Sequence, residues 1–175
     1  RERTRLQKQI KNEPDLLKRT NLKLKLEDIE IELYDLDKAM KNIDYRQANE
    51  RAGYVYVVSN LGAFGENIYK IGMTRRLEPM DRIDELSGPS VPFHFDVHAM
   101  IFSDDAPKLE TALHNAFADR KVNMVNGRKE FFNVSLKEIE DVVKKNHDRT
   151  VEFKYTPEAE QYRETLKLKE KMVSI

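Results

Sequence analysis

The order of apolar and polar residues divides the chain into a helical beginning, a middle in which strands and helices alternate, and a helical end. In the first part, apolar residues recur at intervals of three and four, which predicts an amphipathic helix; they are Leu22, Leu26, Ile29, Leu33, Leu36, Met40 and Ile43. Turn residues at 12–15 separate this helix from a shorter one before it. Residues 1–50 are therefore predicted to form a helical arm, which either joins a coiled coil or partner or folds back on the rest of the chain.

A β-hairpin is predicted next. Residues 54–58 are β-branched or aromatic, and residues 67–72 have a similar composition around a single lysine. Gly62 and Gly65 indicate the turn between the two strands. The ordinary interpretation of Lys70 is an edge-strand lysine that keeps its ammonium in water and discourages aggregation.

Further helices and strands follow from the same two periodicities. Helices are predicted at about 77–86, 105–117, 135–145 and 156–171, and strands at 93–102, 130–134 and 151–155. The second helix carries a core stripe of Leu109, Leu113, Ala116 and Phe117, and the first buries Met80, Ile83 and Leu86. The predicted fold is α+β: a small sheet of about three strands, mixed or antiparallel, flanked by helices. The domain boundaries we predict are 1–50 for the arm, 51–147 for the central domain and 148–175 for a C-terminal strand and helix.

One cluster of possible metal ligands lies along the strand at 93–102. His94, Asp96 and His98 alternate, so they are predicted to share its solvent-facing side. Three ligands on one flat strand converge poorly without a contribution from elsewhere. A polar sheet face is therefore the preferred interpretation over a metal site.

Length and composition exclude several classes of protein. The 175 residues suffice for one compact domain with appendages, and no apolar run is long enough to cross a membrane. The chain has no cysteine, which excludes disulfides and thiolate metal sites and fits a cytoplasmic protein. It begins with Arg1 rather than methionine. We therefore expect a piece of a longer protein, with any targeting or membrane segment lying upstream.

The charge is balanced overall but not locally. Equal numbers of basic and acidic residues, 31 of each, argue against a protein that coats DNA non-specifically. Basic residues nevertheless gather around the hairpin and around residues 119–129, a predicted loop: Lys70, Arg75, Arg76, Arg82, Arg120, Lys121, Arg128 and Lys129. Such local patches suit a protein that binds nucleic acid in a cleft, while solvated helix faces account for most of the other charges.

The hairpin also carries a recognisable pair of motifs. Tyr54-Val55-Tyr56 lies on its first strand and Lys70-Ile71-Gly72 on its second, and Arg82, His114 and Glu130 follow in order. In these residues the sequence resembles the GIY-YIG nuclease superfamily, specifically a phage and bacterial branch, over about residues 52–146. Lysine replaces the tyrosine of the second motif, as it does in some branches. The preceding arm resembles the coiled-coil segment that bacterial proteins carry before this nuclease.

This resemblance implies a metal-dependent DNA endonuclease with a defined set of site residues. Glu130 would hold one divalent cation, Mg²⁺ or Mn²⁺, and Arg82 would hold the scissile phosphate. Tyr56 would act as a general base or align the water, with Lys70 lowering the pKa of its phenol. His114 would relay a proton or hold the phosphate.

Further expectations concern the surroundings of this site. Gly72 would allow the backbone to approach closely, and Arg75, Arg76, Arg128 and Lys129 would contact DNA. The biological setting that the resemblance implies is defence against phage or another conflict over mobile DNA. The apolar stripe of the arm separately suggests self-association through the arm. Two alternatives remain open: a catalytically quiet DNA-binding module, and a coiled-coil scaffold.

Overall fold

The computed structural model describes residues 1–173, and the chain divides into two compact units. The first unit, Arg1–Ala48, consists of α1 (Glu2–Asn12) and α2 (Leu16–Ala48). The carboxylate of Asp15 starts α2 by accepting hydrogen bonds from the N–H groups of Leu17, at 2.9 Å, and Lys18, at 3.2 Å.

The short helix α1 packs against the N-terminal half of the longer helix α2. Leu6 of α1 is buried, and Leu22 and Ile29 of α2 line the groove beside it. Further along α2 the predicted apolar positions are exposed to solvent. We call this set the exposed stripe: Leu33, Leu36, Met40 and Ile43.

The second unit is built on a four-stranded sheet. Its strands are β1 (Gly53–Ser59), β2 (Ile68–Thr74), β3 (Asp96–Ser103) and β4 (Phe131–Asn133). They lie in the order β3-β1-β2-β4, and every pair is antiparallel. The predicted α+β class and the β1–β2 hairpin are confirmed. The sheet has one strand more than the approximate number predicted.

Short helices surround this sheet: α3 (Leu61–Phe64), α4 (Met80–Leu86), α5 (Ala106–Ala116), α6 (Leu136–Asn146) and α7 (Glu160–Val173). Side-chain caps begin α3, α5 and α6. Asn60 accepts from the N–H of Ala63 at the start of α3, Asp105 accepts from the N–H of Lys108 at the start of α5, and Ser135 and Glu138 form a capping box at the start of α6. Among residues 1–173, no helix combines the length and the apolar character needed to cross a membrane.

The two faces of the sheet have separate cores. On one face, Val55, Val57 and Ile71 pack with residues of α5 and α6. On the other, Tyr56 and Val58 pack with Ile83 of α4, Phe95 and Phe131. Tyr56 and Val58 lie opposite Gly72 and Lys70 of β2, and directly paired residues share a face. Tyr56 of the first motif, and Lys70 and Gly72 of the second, therefore lie on the α4 face, while Val55 and Ile71 lie on the other.

Two residues predicted to be in the core are exposed. Met80, at the beginning of α4, is 47% exposed, because α4 begins at this residue and only its later turn reaches the sheet through Ile83. Ala116 is also exposed, since α5 ends there and Phe117 takes the buried position instead.

The expected solvent-facing row on β3 is wrong at His98, which is only 2% exposed. The register between β1 and β3 shifts between Val57 and Val58, so the simple alternation of faces is broken there. The imidazole lies between two polar partners: Ser59 Oγ is 2.7 Å from Nε2, and the carbonyl of Lys154 is 2.5 Å from Nδ1. Because a carbonyl only accepts, the proton is on Nδ1, and Nε2 accepts from the serine hydroxyl.

The strand predicted at residues 151–155 is also wrong, although the segment runs beside β3. The N–H of Lys154 donates to the carbonyl of His98 at 2.8 Å, as in a sheet. The carbonyl of Lys154, however, accepts from the His98 side chain and not from a strand N–H. The Asp96 carboxylate then takes the N–H of Ala159. Side chains, rather than a backbone ladder, hold this segment.

The buried imidazole predicts a pH dependence of stability. Burial lowers the pKa of His98 below its ordinary value of 6.5, against the opposing effects of its hydrogen bond to Lys154 and the charge of Asp96. The unfolded chain therefore binds a proton more readily than the folded one. We expect the free energy of unfolding to be largest above about pH 6.5 and to fall as the pH drops below it.

Urea unfolding of the wild type and of His98→Gln at a series of pH values between 5 and 8 measures this effect. The variant should lose part of the pH dependence below 6.5, while His94→Gln, at an exposed position, should retain all of it. An unchanged pH dependence in His98→Gln would contradict the assignment. Other titrating groups contribute equally to all three proteins.

Candidate active site at the edge of β2

The site lies where β2 loses its neighbour in the sheet. Strand β4 pairs with β2 only over Ile68–Lys70. Beyond this point the N–H of Ile71 still donates to the backbone carbonyl of Glu130 at 3.1 Å, and side chains of α5 take the next backbone groups of β2. Nε2 of His114 donates to the carbonyl of Ile71 at 2.8 Å, and the N–H of Met73 donates to the carboxyl group of Glu110. Helix α5 therefore brings two ionisable side chains to an open strand edge.

Lys70 and Glu130 form an ion pair at this edge. Lys70 Nζ lies 2.8 Å from Oε2 of Glu130, and the lysine side chain is only 9% exposed. The ammonium also lies 5.5 Å from the centre of the Phe131 ring. The ordinary interpretation of Lys70 as an edge lysine with its ammonium in water is therefore wrong. A buried ammonium requires a partner, and Glu130 is that partner.

Tyr56 lies across β2 because Gly72 has no side chain. The two residues are directly paired, and a Cβ at Gly72 would lie 2.5 Å from the Tyr56 hydroxyl oxygen. The tyrosine is 2% exposed. Any side chain at position 72 would displace the phenol.

The pKa of the Tyr56 phenol is raised, whereas from the sequence we expected it to be lowered. Burial raises the pKa of its phenol above the ordinary value, and the charges of Glu130 and Glu110 raise it further. The opposing cation is Arg82, through a hydrogen bond and its charge. The idea that Lys70 lowers this pKa is wrong, since Lys70 is neutralised by Glu130. At neutral pH the phenol keeps its proton.

Arg82 has both of the partners that its position suggests. It interacts with Tyr56, and its Nη1 lies 3.0 Å from the carboxylate of Glu85, one helical turn away. Glu85 also binds Arg76 at 2.7 Å, and hydrogen bonds from Arg76 and Arg82 lower the pKa of Glu85. The Arg82 side chain is 39% exposed, so its guanidinium is within reach of a ligand from solvent.

Glu110, His114 and Glu130 form a cluster of possible metal ligands. One ligand atom from each lies within 4.8 Å of the other two, and all three side chains are half-buried. Burial, followed by the charge of Glu130, raises the pKa of Glu110 to about 6. The site prediction from sequence omits Glu110. Its spacing of four residues from His114 was the available signal, since it puts both on one helix face.

The structure thus brings all the predicted catalytic side chains to one edge of the sheet, together with Glu110; they are Tyr56, Lys70, Arg82, His114 and Glu130. The four residues predicted to bind DNA are exposed in the two adjoining loops. Arg75 and Arg76 follow β2, and Arg128 and Lys129 precede Glu130. Carboxylates and an imidazole within this spacing are a donor set that fits a divalent cation.

Comparison with known proteins provides one family. No curated protein and no solved structure matches the chain significantly. The model of the T5orf172 domain matches residues 53–147, more than half of the chain, and this range includes every side chain of the site described above. This phage-associated domain is found in the context of GIY-YIG-like and HNH-like nucleases, which suggests a nuclease or DNA-binding role. The chain belongs to the T5orf172 domain family.

Proposed function

We propose that the protein is a metal-dependent DNA endonuclease of the GIY-YIG type. The observation that carries this proposal is the convergence of a phenol, an ammonium, a guanidinium, an imidazole and two carboxylates at one strand edge. Phosphodiester hydrolysis requires a positioned water, neutralisation of the phosphate charge and stabilisation of the departing 3′ oxygen. The residues at the edge of β2 are suited to these tasks.

Glu130 is the residue that we assign to the cation, Mg²⁺ or Mn²⁺. When bound, such an ion acts as a Lewis acid on the phosphate oxygens. Lys70 holds the Glu130 carboxylate in position from the buried side, at 2.8 Å. The pair thus gives the carboxylate a defined orientation before any substrate arrives.

Arg82 is assigned to the scissile phosphate. Its planar guanidinium can donate two hydrogen bonds to phosphate oxygens, and its charge does not depend on pH. Nη1 of Arg82 already donates to the Glu85 carboxylate at 3.0 Å. A DNA phosphate carries one negative charge, as this carboxylate does, and competes for the same donors, so we expect Arg82 to exchange Glu85 for substrate.

Tyr56 contributes a neutral hydroxyl group. Because burial raises its pKa, the phenol is a donor in the resting protein rather than a ready base. We propose that its hydroxyl aligns the attacking water. His114, whose Nε2–H is held by the Ile71 carbonyl, has one nitrogen lone pair left for a proton, a phosphate-bound water or a cation.

The substrate would be DNA that reaches the site past Arg75, Arg76, Arg128 and Lys129. Defence against phage or mobile DNA in the bacterial cytoplasm is the setting that the GIY-YIG resemblance supports. The same basic residues also suit a DNA-binding module without catalysis. The plasmid experiment that follows distinguishes this alternative from an endonuclease.

Supercoiled plasmid distinguishes the two functions. The purified protein should nick plasmid with Mg²⁺ or Mn²⁺, and a chelator should stop the reaction. Glu130→Gln and Arg82→Ala should each slow nicking by about 100-fold, because each removes charge stabilisation from the transition state. Glu66→Gln, an exposed carboxylate between β1 and β2, is the control and should retain the wild-type rate. A salt-dependent DNA shift without any nicking would identify the quiet module instead.

Gly72→Ala tests the placement of the phenol. The added Cβ would overlap the Tyr56 hydroxyl, so we expect reduced nicking and a loss of about 1–3 kcal/mol in the free energy of unfolding. Gly127→Ala is the matched control, because a Cβ there meets no atom within 4 Å. Nicking rates and urea unfolding measure both effects. Wild-type behaviour of Gly72→Ala would show that Tyr56 is not constrained by β2.

We also propose that the arm self-associates through the exposed stripe. Its spacing of three and four residues is that of a coiled-coil seam, and its members remain in solvent within the unit. Sedimentation should show an oligomer that Leu36→Glu and removal of residues 1–50 both convert to a monomer. Tyr34→Glu, off the stripe and 69% exposed, should have no effect. A monomeric wild type at all concentrations would contradict this proposal.

A further inference from the structure

We infer that Glu110, His114 and Glu130 together form a three-ligand cation site that prefers a first-row transition ion, such as Mn²⁺, to Mg²⁺. The inference builds on the proposed function only in assigning the cation to Glu130. It adds two ligands and a selectivity. Both additions concern binding by this chain in the absence of DNA.

The spacing of the ligand atoms is the first support. They lie within 4.8 Å of one another, from two different elements: α5 and the residue that precedes β4. Three ligands bound at about 2.0–2.2 Å from one cation lie about 3.0–3.8 Å from one another. Side-chain movements of about 1 Å therefore bring the three ligand atoms to bonding distance of one ion. Glu110 and His114, four residues apart on one helix, already face the same way.

The second support is the way in which His114 is held. Its Nε2–H donates to the carbonyl of Ile71 at 2.8 Å, which fixes the tautomer and leaves the lone pair on the other ring nitrogen. Metal-binding histidines characteristically donate their second N–H to a backbone carbonyl or carboxylate in this manner. The ring also packs on Phe132, at 5.1 Å between centres, which restricts its rotation.

The third support is the local charge. Two carboxylates lie beside each other, and Lys70, paired with Glu130, supplies a single positive charge against them. Glu110 accepts a hydrogen bond from the N–H of Met73, which orients the group without neutralising it. A divalent cation between the carboxylates removes their mutual repulsion.

The selectivity follows from the chemistry of the donors. Mg²⁺ favours oxygen ligands and retains most of its water. An imidazole nitrogen is a better ligand for Mn²⁺ and for later transition ions than for Mg²⁺. With one nitrogen among three protein ligands, the site should hold Mn²⁺ at least about tenfold more tightly than Mg²⁺.

Titration of the whole purified chain with Mn²⁺ alone, followed by the electron paramagnetic resonance of free Mn²⁺, tests the inference without DNA or cleavage. The wild type should bind one ion per chain. Glu110→Gln and His114→Gln should each weaken binding by about tenfold or more, and Glu66→Gln should not. Displacement of half of the bound Mn²⁺ should require at least about tenfold excess Mg²⁺. Circular dichroism establishes that each variant is folded.

Three results would overturn the inference while leaving the nuclease proposal intact: wild-type Mn²⁺ affinity in folded Glu110→Gln and His114→Gln with loss in Glu130→Gln; equal affinity for Mg²⁺ and Mn²⁺; or no Mn²⁺ binding by a chain that nicks plasmid with Mg²⁺. The reverse result is equally informative. Binding with the expected pattern in a chain that nicks no plasmid with either ion would uphold the cation site and refute the nuclease.

Discussion

The buried ion pair between Lys70 and Glu130 constrains the whole second unit. The Lys70 side chain is only 9% exposed, and burying its ammonium costs several kcal/mol unless a carboxylate compensates the charge; here the carboxylate comes from 60 residues further along the chain. The loop before β4 must therefore end at a defined place beside β2. The same requirement places Glu130 within 4.8 Å of the ligand atoms of α5. The contact between Lys70 and Glu130 thus both stabilises the fold and assembles the site.

The site exists because the sheet is incomplete at this edge. Strand β4 ends its pairing at Lys70. The N–H of Ile71 donates to the carbonyl of Glu130, and His114 and Glu110, rather than another strand, take the backbone groups that follow. A longer β4 would make a more regular sheet, but it would cover these groups. Polar side chains in place of a strand keep the edge hydrogen-bonded and still reachable by a ligand.

Carboxylates engage the three cations nearest to Tyr56 and Glu130, which are Lys70, Arg76 and Arg82. Lys70 pairs with Glu130, and Arg82 and Arg76 share Glu85. This internal compensation agrees with a chain whose 31 basic and 31 acidic residues balance. A phosphate must compete with Glu85 for the guanidinium groups, which disfavours non-specific attraction of polyanions and favours a substrate that makes several contacts at once. Tyr56 remains a neutral phenol within this arrangement because burial outweighs the nearby Arg82.

Local sequence determined most of the helices and strands of this protein. Tertiary contacts decided which side chains are buried and which distant residues they meet. The β1–β2 hairpin, the turn before α2 and every helix of the described residues except α3 follow from periodicity and turn residues, and the caps of α5 and α6 are short-range as well. Helix α3 lies where the glycines predicted only a turn. The burial of His98 depended on a register shift against β1, and residues 151–155 left the sheet because His98 took the Lys154 carbonyl. Glu110 entered the site only because α5 crosses the open edge of β2. Periodicity reports which face of an element is apolar; which distant group that face meets depends on the packing of the whole domain.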